Sequence, residues 1–410
     1  MCKVSIELDV FPNCLGIKKS YDYIDYFCNQ FFYEHLQDHV NCLITTEDNI
    51  KYSIQLFDYW INKGITSKEF INSFYWNMIS ESPYKLFVPY IKKDANNLAI
   101  NYINDSLFEI ELIAPIKEFT KMIQSRYIVP VSDNSCEIKS GDYDIIEKTD
   151  QRILIENRNK KLYIELLISC NTEISRKRFL DGKIDITCPS NYSPKLLLED
   201  TQLVKHTGSL VYYCFCSEKC MAELIGGNRE YINKNICEVT NGFITPISSF
   251  YDIKCENIIN TNTNININAT CLGKEYELFY SNFYPNKELA IICSRILEEN
   301  GCKIKLIEVP SYSNFKDRCS SFSMYIGVTF PLYESEHAVG MNFVAVLDSK
   351  KQKSFSKALI IEDSDSLYEI MKCVGGYVPL GRGNFWYYKQ NESYISISEY
   401  GNIYFDEEVV

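Results

Sequence analysis

The sequence predicts an α/β protein divided into two or three subdomains. Three observations carry that expectation. At 410 residues, 46% of them hydrophobic, the chain is too long to gather around one ordinary core. Residues 52–79 read as strand, turn and capped helix in succession. Residues 276–309 read as strand, helix and strand, and the short return after the helix suits parallel strands in a right-handed crossover.

The segment 52–79 is the most legible. Tyr52, Ile54 and Leu56 alternate with Ser53, Gln55 and Phe57, the period of a strand with one buried face. Asn62, Lys63 and Gly64 then break the strand. Thr66 and Glu69 have capping-box spacing: the hydroxyl can accept the backbone N–H of Glu69 while the carboxylate reaches back to the N–H of Thr66. Ile65 and Phe70 flank that box as a hydrophobic staple. Phe70, Phe74 and Met78 recur every fourth residue beside Ile71 and Tyr75, so one helical stripe faces a core.

Upstream, Val4, Ile6, Leu8 and Val10 alternate as a strand that ends at Phe11, Pro12 and Asn13. Tyr23, Phe27 and Phe31, with Ile24, Cys28 and Leu36, make a helical stripe. Downstream, 108–112 alternates as a strand stopped by Pro115, and Phe119, Met122 and Ile123 suit a short helix. Strands follow at 152–157 and 163–168. In 176–186, Phe179 and Leu180 end a helix, Gly182 supplies its left-handed cap, and Ile184, Asp185 and Ile186 begin a strand. Residues 210–216, LVYYCFC, form a strand, whereas the Asn-rich tract 257–268 suits an edge strand or a loop equally. Leu289, Ile292, Cys293, Ile296 and Leu297 mark a helix ended by Asn300 and Gly301, followed by a strand at 303–309. Ile395 and Ile397 begin the closing strands.

Six segments, in order, resemble the family 5 solute-binding proteins, which capture oligopeptides, dipeptides or nickel chelates for ABC importers. Trp60, Asn62, Gly64, Thr66, Glu69 and Phe70 match the family's Trp, Asn-Gly turn and Thr-x-x-Asp/Glu-Phe helix start. Ser140 to Tyr143 resembles its Gly-Pro-Tyr turn, with Asp142 in place of proline. Residues 176–186 resemble its Gly-Lys/Glu-Ile-Asp signature, 276–309 its second-lobe β-α-β unit, 324–331 its strand leading to the cleft, and 375–380 its return crossing. The segment 217–228 lacks the family's Pro-Phe and Arg-x-Ala pattern. The resemblance implies an α/β, two-lobed periplasmic-binding-protein-like (type II) fold with mixed sheets and a two-strand hinge at 210–216 and 375–380: lobe I over 1–208 with an inserted subdomain at roughly 40–135, lobe II over 209–378, and a return to lobe I over 379–410. It further implies hinge closure on a small peptide or peptide-like ligand. Asn13, Tyr213, Phe330, Arg382 and Trp386 are the candidate ligand-binding residues. Aromatic rings give large contact area at low entropic cost, and Arg382 can pair a carboxylate bidentately. Asn13 also suits a plain strand exit, and Arg382 a surface loop.

Charge narrows the partners. A net charge of −12 without a Lys/Arg-rich block argues against nucleic acid and anionic membrane surfaces. No run of about 18 apolar residues predicts a helix inserted in a membrane. His35, His39, His206 and His337 are dispersed; His35 and His39 stand one helical turn apart without an HExxH glutamate, and a solvated helix end is the preferred account. Gly381-Arg382-Gly383 lacks the strand–helix context of a phosphate cradle, and no GxSxG or Walker pattern occurs. No catalytic residue, cofactor or metal is expected. Cys214 and Cys216 are expected to point to opposite faces of their strand, and with no histidine at usable spacing they suit core packing better than zinc. A strand within the first ten residues leaves no room for a signal peptide, and 17 singly scattered cysteines suit reduced thiols. The expectation is therefore a cytoplasmic ligand sensor that reports to a regulatory protein; the alternative location is an extracellular lipoprotein, trimmed of its leader, serving an ABC transporter. The alternative function is a binding-protein fold repurposed as an enzyme or accessory protein in biosynthesis of a peptide-like metabolite.

Overall fold

The structure, a computed structural model, describes residues 2–8, 12, 16, 23–79, 88–94, 97–133, 136–169, 171–188, 202–246, 274–309, 321–329, 331, 354, 376–390, 393–398 and 401–405. The tract 257–268 lies outside them. Lobe I runs through β1 (Cys2–Leu8), α1 (Tyr23–Asn29), β2 (Cys42–Glu47), β3 (Lys51–Leu56), α2 (Asp58–Asn62), α3 (Ser67–Ile79), β4 (Lys93–Asp94), β5 (Asn97–Leu98), β6 (Ile100–Asn104), β7 (Leu107–Glu111) and α4 (Phe119–Ile123). It continues through β8 (Tyr143–Lys148), β9 (Arg152–Asn157), β10 (Leu162–Ile168) and α5 (Thr172–Leu180). One sheet has the order β1-β10-β9-β8, with β1 parallel to β10; a second, antiparallel sheet has the order β2-β3-β7-β6.

Local sequence explains most of these elements. In β3, Tyr52, Ile54 and Leu56 are buried and their neighbours are not, as the alternation requires. The strand does not run to Asn62. The one-turn helix α2 intervenes, and it places the indole of Trp60 edge-on against Phe70 at 4.9 Å, fully buried. Gly64 then takes φ +71°, which a residue with a Cβ adopts only under strain. The start of α3 differs from the expected box in one bond. The Glu69 carboxylate accepts the Thr66 N–H at 2.7 Å, but the Thr66 hydroxyl accepts from the N–H of Lys68 and itself donates to Glu69. The hydroxyl serves the second helical residue instead of the third, which satisfies a free end amide equally well.

A charged staple fastens this region to the rest of lobe I. The Lys63 ammonium donates to Glu34 Oε2 at 2.8 Å, to the Tyr59 hydroxyl and the Ser140 carbonyl at 2.7 Å each, and to Asp142 Oδ1 at 3.1 Å. Burial holds the Glu34 carboxyl above the usual range, against the opposing pull of Lys63. Further along, Asn171 caps α5 and Gly182 (φ +65°) ends it, but in place of the expected strand at 184–186 Ile186 alone makes isolated bridges, to Ile6 and Lys389.

Two long strands link the lobes. After β11 (Leu203–Cys216) come α6 (Lys219–Gly227), α7 (Arg229–Val239), β12 (Ile244–Pro246), β13 (Glu275–Ser281), α8 (Asn286–Glu299), β14 (Lys303–Val309), β15 (Met324–Thr329), β16 (Tyr377–Tyr388), β17 (Ile395–Ile397) and β18 (Ile403–Phe405). The lobe II sheet has the order β12-β16-β11-β15-β13-β14, and β13 is parallel to β14 across the glycine-ended helix α8. β11 and β16 pair antiparallel from Leu203↔Tyr388 to Phe215↔Tyr377, with register breaks between His206 and Leu210 and between Tyr212 and Tyr213. Both expected crossings are therefore one paired hinge.

Alternation along β11 divides its side chains between lobes. Leu210, Tyr212, Cys214 and Cys216 enter the lobe II core with Leu224, Ile236 and Ile292 from the helices, whereas Val211 belongs to the lobe I core. That core is drawn from β1 through Ile186 and again from Tyr387, Ile395 and Ile397.

Cys214 and Cys216 depart from expectation. The two-residue period of a strand puts both on the same face, with Sγ atoms 3.8 Å apart. Hydrogen bonding to Cys216 and then to Cys293 of α8, together with burial, pushes the Cys214 thiol well up. The Cys214 thiol packs as a neutral filler. Among the described residues, no group of three His, Cys, Asp or Glu side chains is arranged to hold a metal ion, and no helix is long and apolar enough to cross a membrane.

Candidate functional site

The face of the lobe II sheet that turns away from α6, α7 and α8 is aromatic. Strand register aligns one ring from each of four strands: Tyr377 of β16 pairs with Phe215 of β11, Phe215 with Tyr325 of β15, and Tyr325 with Phe279 of β13. The rings touch along this row. Centroids lie 4.9 Å apart for Phe215 and Tyr377 and 5.0 Å for Phe215 and Tyr325, while Phe322 lies flat on Phe279 at 4.0 Å and 2°. Tyr213, two residues along β11, adds a ring 5.2 Å from Tyr377 and 6.1 Å from Tyr325.

A glycine makes this arrangement fit. Gly327 pairs with Tyr213, and a Cβ there would lie 2.5 Å from both Cζ and the hydroxyl oxygen of that ring. Only a residue without a side chain lets the phenol lie across β15.

The row stands at the junction of the lobes. Tyr213 and Tyr377 pack against the lobe I core, and Tyr213, Phe215 and Phe279 against Val309, Phe322 and Tyr325. Tyr213, Phe215, Phe279 and Tyr377 are half-buried, and Tyr325 is 7% exposed. Burial pushes the Tyr325 phenol far above its ordinary pKa, and the hydroxyls of Tyr213 and Tyr377, which hydrogen-bond with it, act in the same direction. The surface is apolar, with hydroxyls as its polar groups.

Of the residues singled out from the sequence, Tyr213 and Arg382 come together. Arg382 pairs with Val211, on the same face of β11 as Tyr213 and Phe215. Its neighbours Gly381 and Gly383 face the lobe II core, where a Cβ would run into Ile244 and into the Tyr212 ring, so the arginine points the other way. Trp386 is not with them. It sits in the lobe II core, 9% exposed, with Phe243 edge-on at 5.6 Å and the Lys205 ammonium 5.2 Å from its ring. Asn13 and Phe330 lie outside the described residues.

The sequence did not single out Phe215, Phe279, Tyr325, Tyr377 or Gly327. Each aromatic occupies an alternating strand position, but only register aligns them. The histidines also differ from expectation: α1 ends at Asn29, so His35 and His39 share no helix. His35 is half-buried, its pKa pushed down to about 3 by burial and the charge of Arg126.

Two α/β lobes joined by paired strands, with an aromatic surface where they meet, define a two-lobed periplasmic-binding-protein fold. Solved structures agree. The murein tripeptide binding protein MppA of Escherichia coli matches with a TM-score of 0.78 at 14% identity, over 99% of this chain and 96% of that one. OppA of Haemophilus influenzae, in complex with RPPGFSPFR, matches with a TM-score of 0.73 at 13% identity over 99% of each chain. The periplasmic binding protein DppA of Helicobacter pylori, in complex with the peptide STSA, matches with a TM-score of 0.71 at 13% identity, over 99% of this chain and 98% of that one. An unliganded open form of MppA matches less closely, with a TM-score of 0.58. No protein-family model and no curated protein sequence matches the chain. The resemblance to the family 5 solute-binding proteins holds at the level of the fold.

Proposed function

We propose that this protein is a solute-binding protein that captures a peptide or peptide-like small molecule between its lobes. The observation that carries the proposal is the aromatic row beside the paired hinge, half-buried except at Tyr325, on the face that also bears Arg382. Such a surface offers ring contact for side chains, hydroxyls for peptide amides and a guanidinium for a carboxylate. Three of the solved structures described above support it, since one is a murein tripeptide binding protein and two hold peptides. An ABC importer is the partner of an extracellular form, and a regulatory protein that of a cytoplasmic sensor. Free-thiol counting on protein from its own cells separates the two, because an oxidising compartment pairs thiols.

Thermal unfolding in the presence of pooled short peptides tests the function. A peptide that binds the folded state at a hundredfold excess over Kd adds about 2.7 kcal/mol, a saturable rise in Tm. No shift with any pool overturns the proposal. Release of peptide fragments in the same tube replaces it with an enzyme.

A further inference from the structure

We propose that the row Tyr377, Phe215 and Tyr325 selects peptides that carry an aromatic side chain, and that Gly327 keeps the row in shape for them. The inference rests on the capture of peptides proposed above. Three features of the row carry it.

First, the rings are in mutual contact at 4.9 to 5.2 Å, with tilts of 32° to 57°. No gap between them admits an ammonium group, so the row is a continuous surface and not a cage for a cation. Second, the far end of the same row already holds a stacked ring. Phe322 lies on Phe279 at 4.0 Å and 2°, which demonstrates how a planar side chain seats against this face. Third, the opposite face of the same strands is filled mainly by aliphatic side chains, Leu278, Ile326, Val378 and Leu380. The sheet therefore packs well without rings, and their concentration on the half-buried face at the lobe junction marks that face for a ring-bearing occupant. The phenols of the row carry no charge of their own, so the row discriminates by ring shape while any ligand carboxylate falls to Arg382.

Gly327 is a positioning residue in this arrangement. A methyl group there displaces the Tyr213 ring, which contacts both Tyr377 and Tyr325.

Isothermal titration with two tetrapeptide pools tests the inference, the pools differing at one position (Phe, Tyr or Trp against Leu, Ile or Val) and matched in net charge. The aromatic pool is expected to bind about tenfold tighter. The substitution F215L, which keeps the position apolar, is expected to bring the two pools within about threefold of one another. G327A is expected to weaken the aromatic pool more than the aliphatic one. Should F215L fail to fold, Tyr377→Leu on the neighbouring strand repeats the measurement. Equal binding of the two pools, or a preference that survives the leucine variant, overturns the inference and leaves peptide capture standing. Failure of both pools to bind overturns peptide capture and the selection together.

Discussion

The two faces of the lobe II sheet are packed by different chemistry. Toward the helices, Ile326, Leu278, Cys214 and Val378 meet the side chains of α6, α7 and α8 and are almost completely shut off from water. Toward the lobe junction the same strands carry Phe279, Phe215, Tyr325 and Tyr377, mostly half-buried and hydrogen-bonded at a cluster of phenols. Dry aliphatic packing stabilises through area removed from water and through close fit. A half-buried aromatic face forgoes part of that stabilisation and gains it only when something covers the rings. The contrast separates the side of the sheet that holds the lobe together from the side available to a ligand.

Four substitutions break or sharpen that contrast, in falling order of expected effect. Ile326→Ala empties a site with 0% exposure and is expected to lower the unfolding free energy by about 3 kcal/mol in urea titration. Lys63→Met tests the charged staple of lobe I as a third kind of packing and is expected to cost about 2 kcal/mol at neutral pH, because it leaves Glu34 and Asp142 without their cation. Its pH dependence has a definite sign. Burial raises the folded pKa of Glu34, so the carboxyl contributes stability that is fully present below its unfolded pKa and is lost as pH rises through the folded value. Loss of Lys63 raises that folded value further. The variant therefore approaches wild-type stability near about pH 4 and falls increasingly behind it above. Phe215→Ala, on the half-buried face, is expected to cost about 1.5 kcal/mol; a loss as large as that of Ile326→Ala would mean that the row is a sealed core, and the contrast would fail. Tyr325→Phe removes one phenol from the hydroxyl cluster and is expected to cost about 1 kcal/mol, with no change in melting cooperativity.

Much of this architecture was legible from short-range pattern. The segment from β3 to α3, the parallel unit β13-α8-β14 and the strand at 210–216 all appear where alternation, helical period and glycine stops place them, whereas the return strand β16 was legible only through the family resemblance. The failures were also local in origin. The α2 turn carries no periodic signal of its own within five residues, and it exists because Trp60 finds a pocket beside Phe70. Tyr213 and Arg382 could be named from the chain, but Trp386, four residues beyond Arg382, went to the opposite side of the hinge, where Phe243 and the lobe II core receive it.

The sequence by itself determined which segments become strands and helices and which faces of them are apolar, because those properties depend on residues within a few positions of one another. Tertiary structure alone decided that Tyr377, Phe215, Tyr325 and Phe279 form one row, that Gly327 receives the ring of Tyr213, and that Lys63 meets both Glu34 and Asp142. These partners are far apart along the chain. The meeting of the rings depends on strand register, and a slip of one residue in any of the four strands would turn its ring into the helix-covered core.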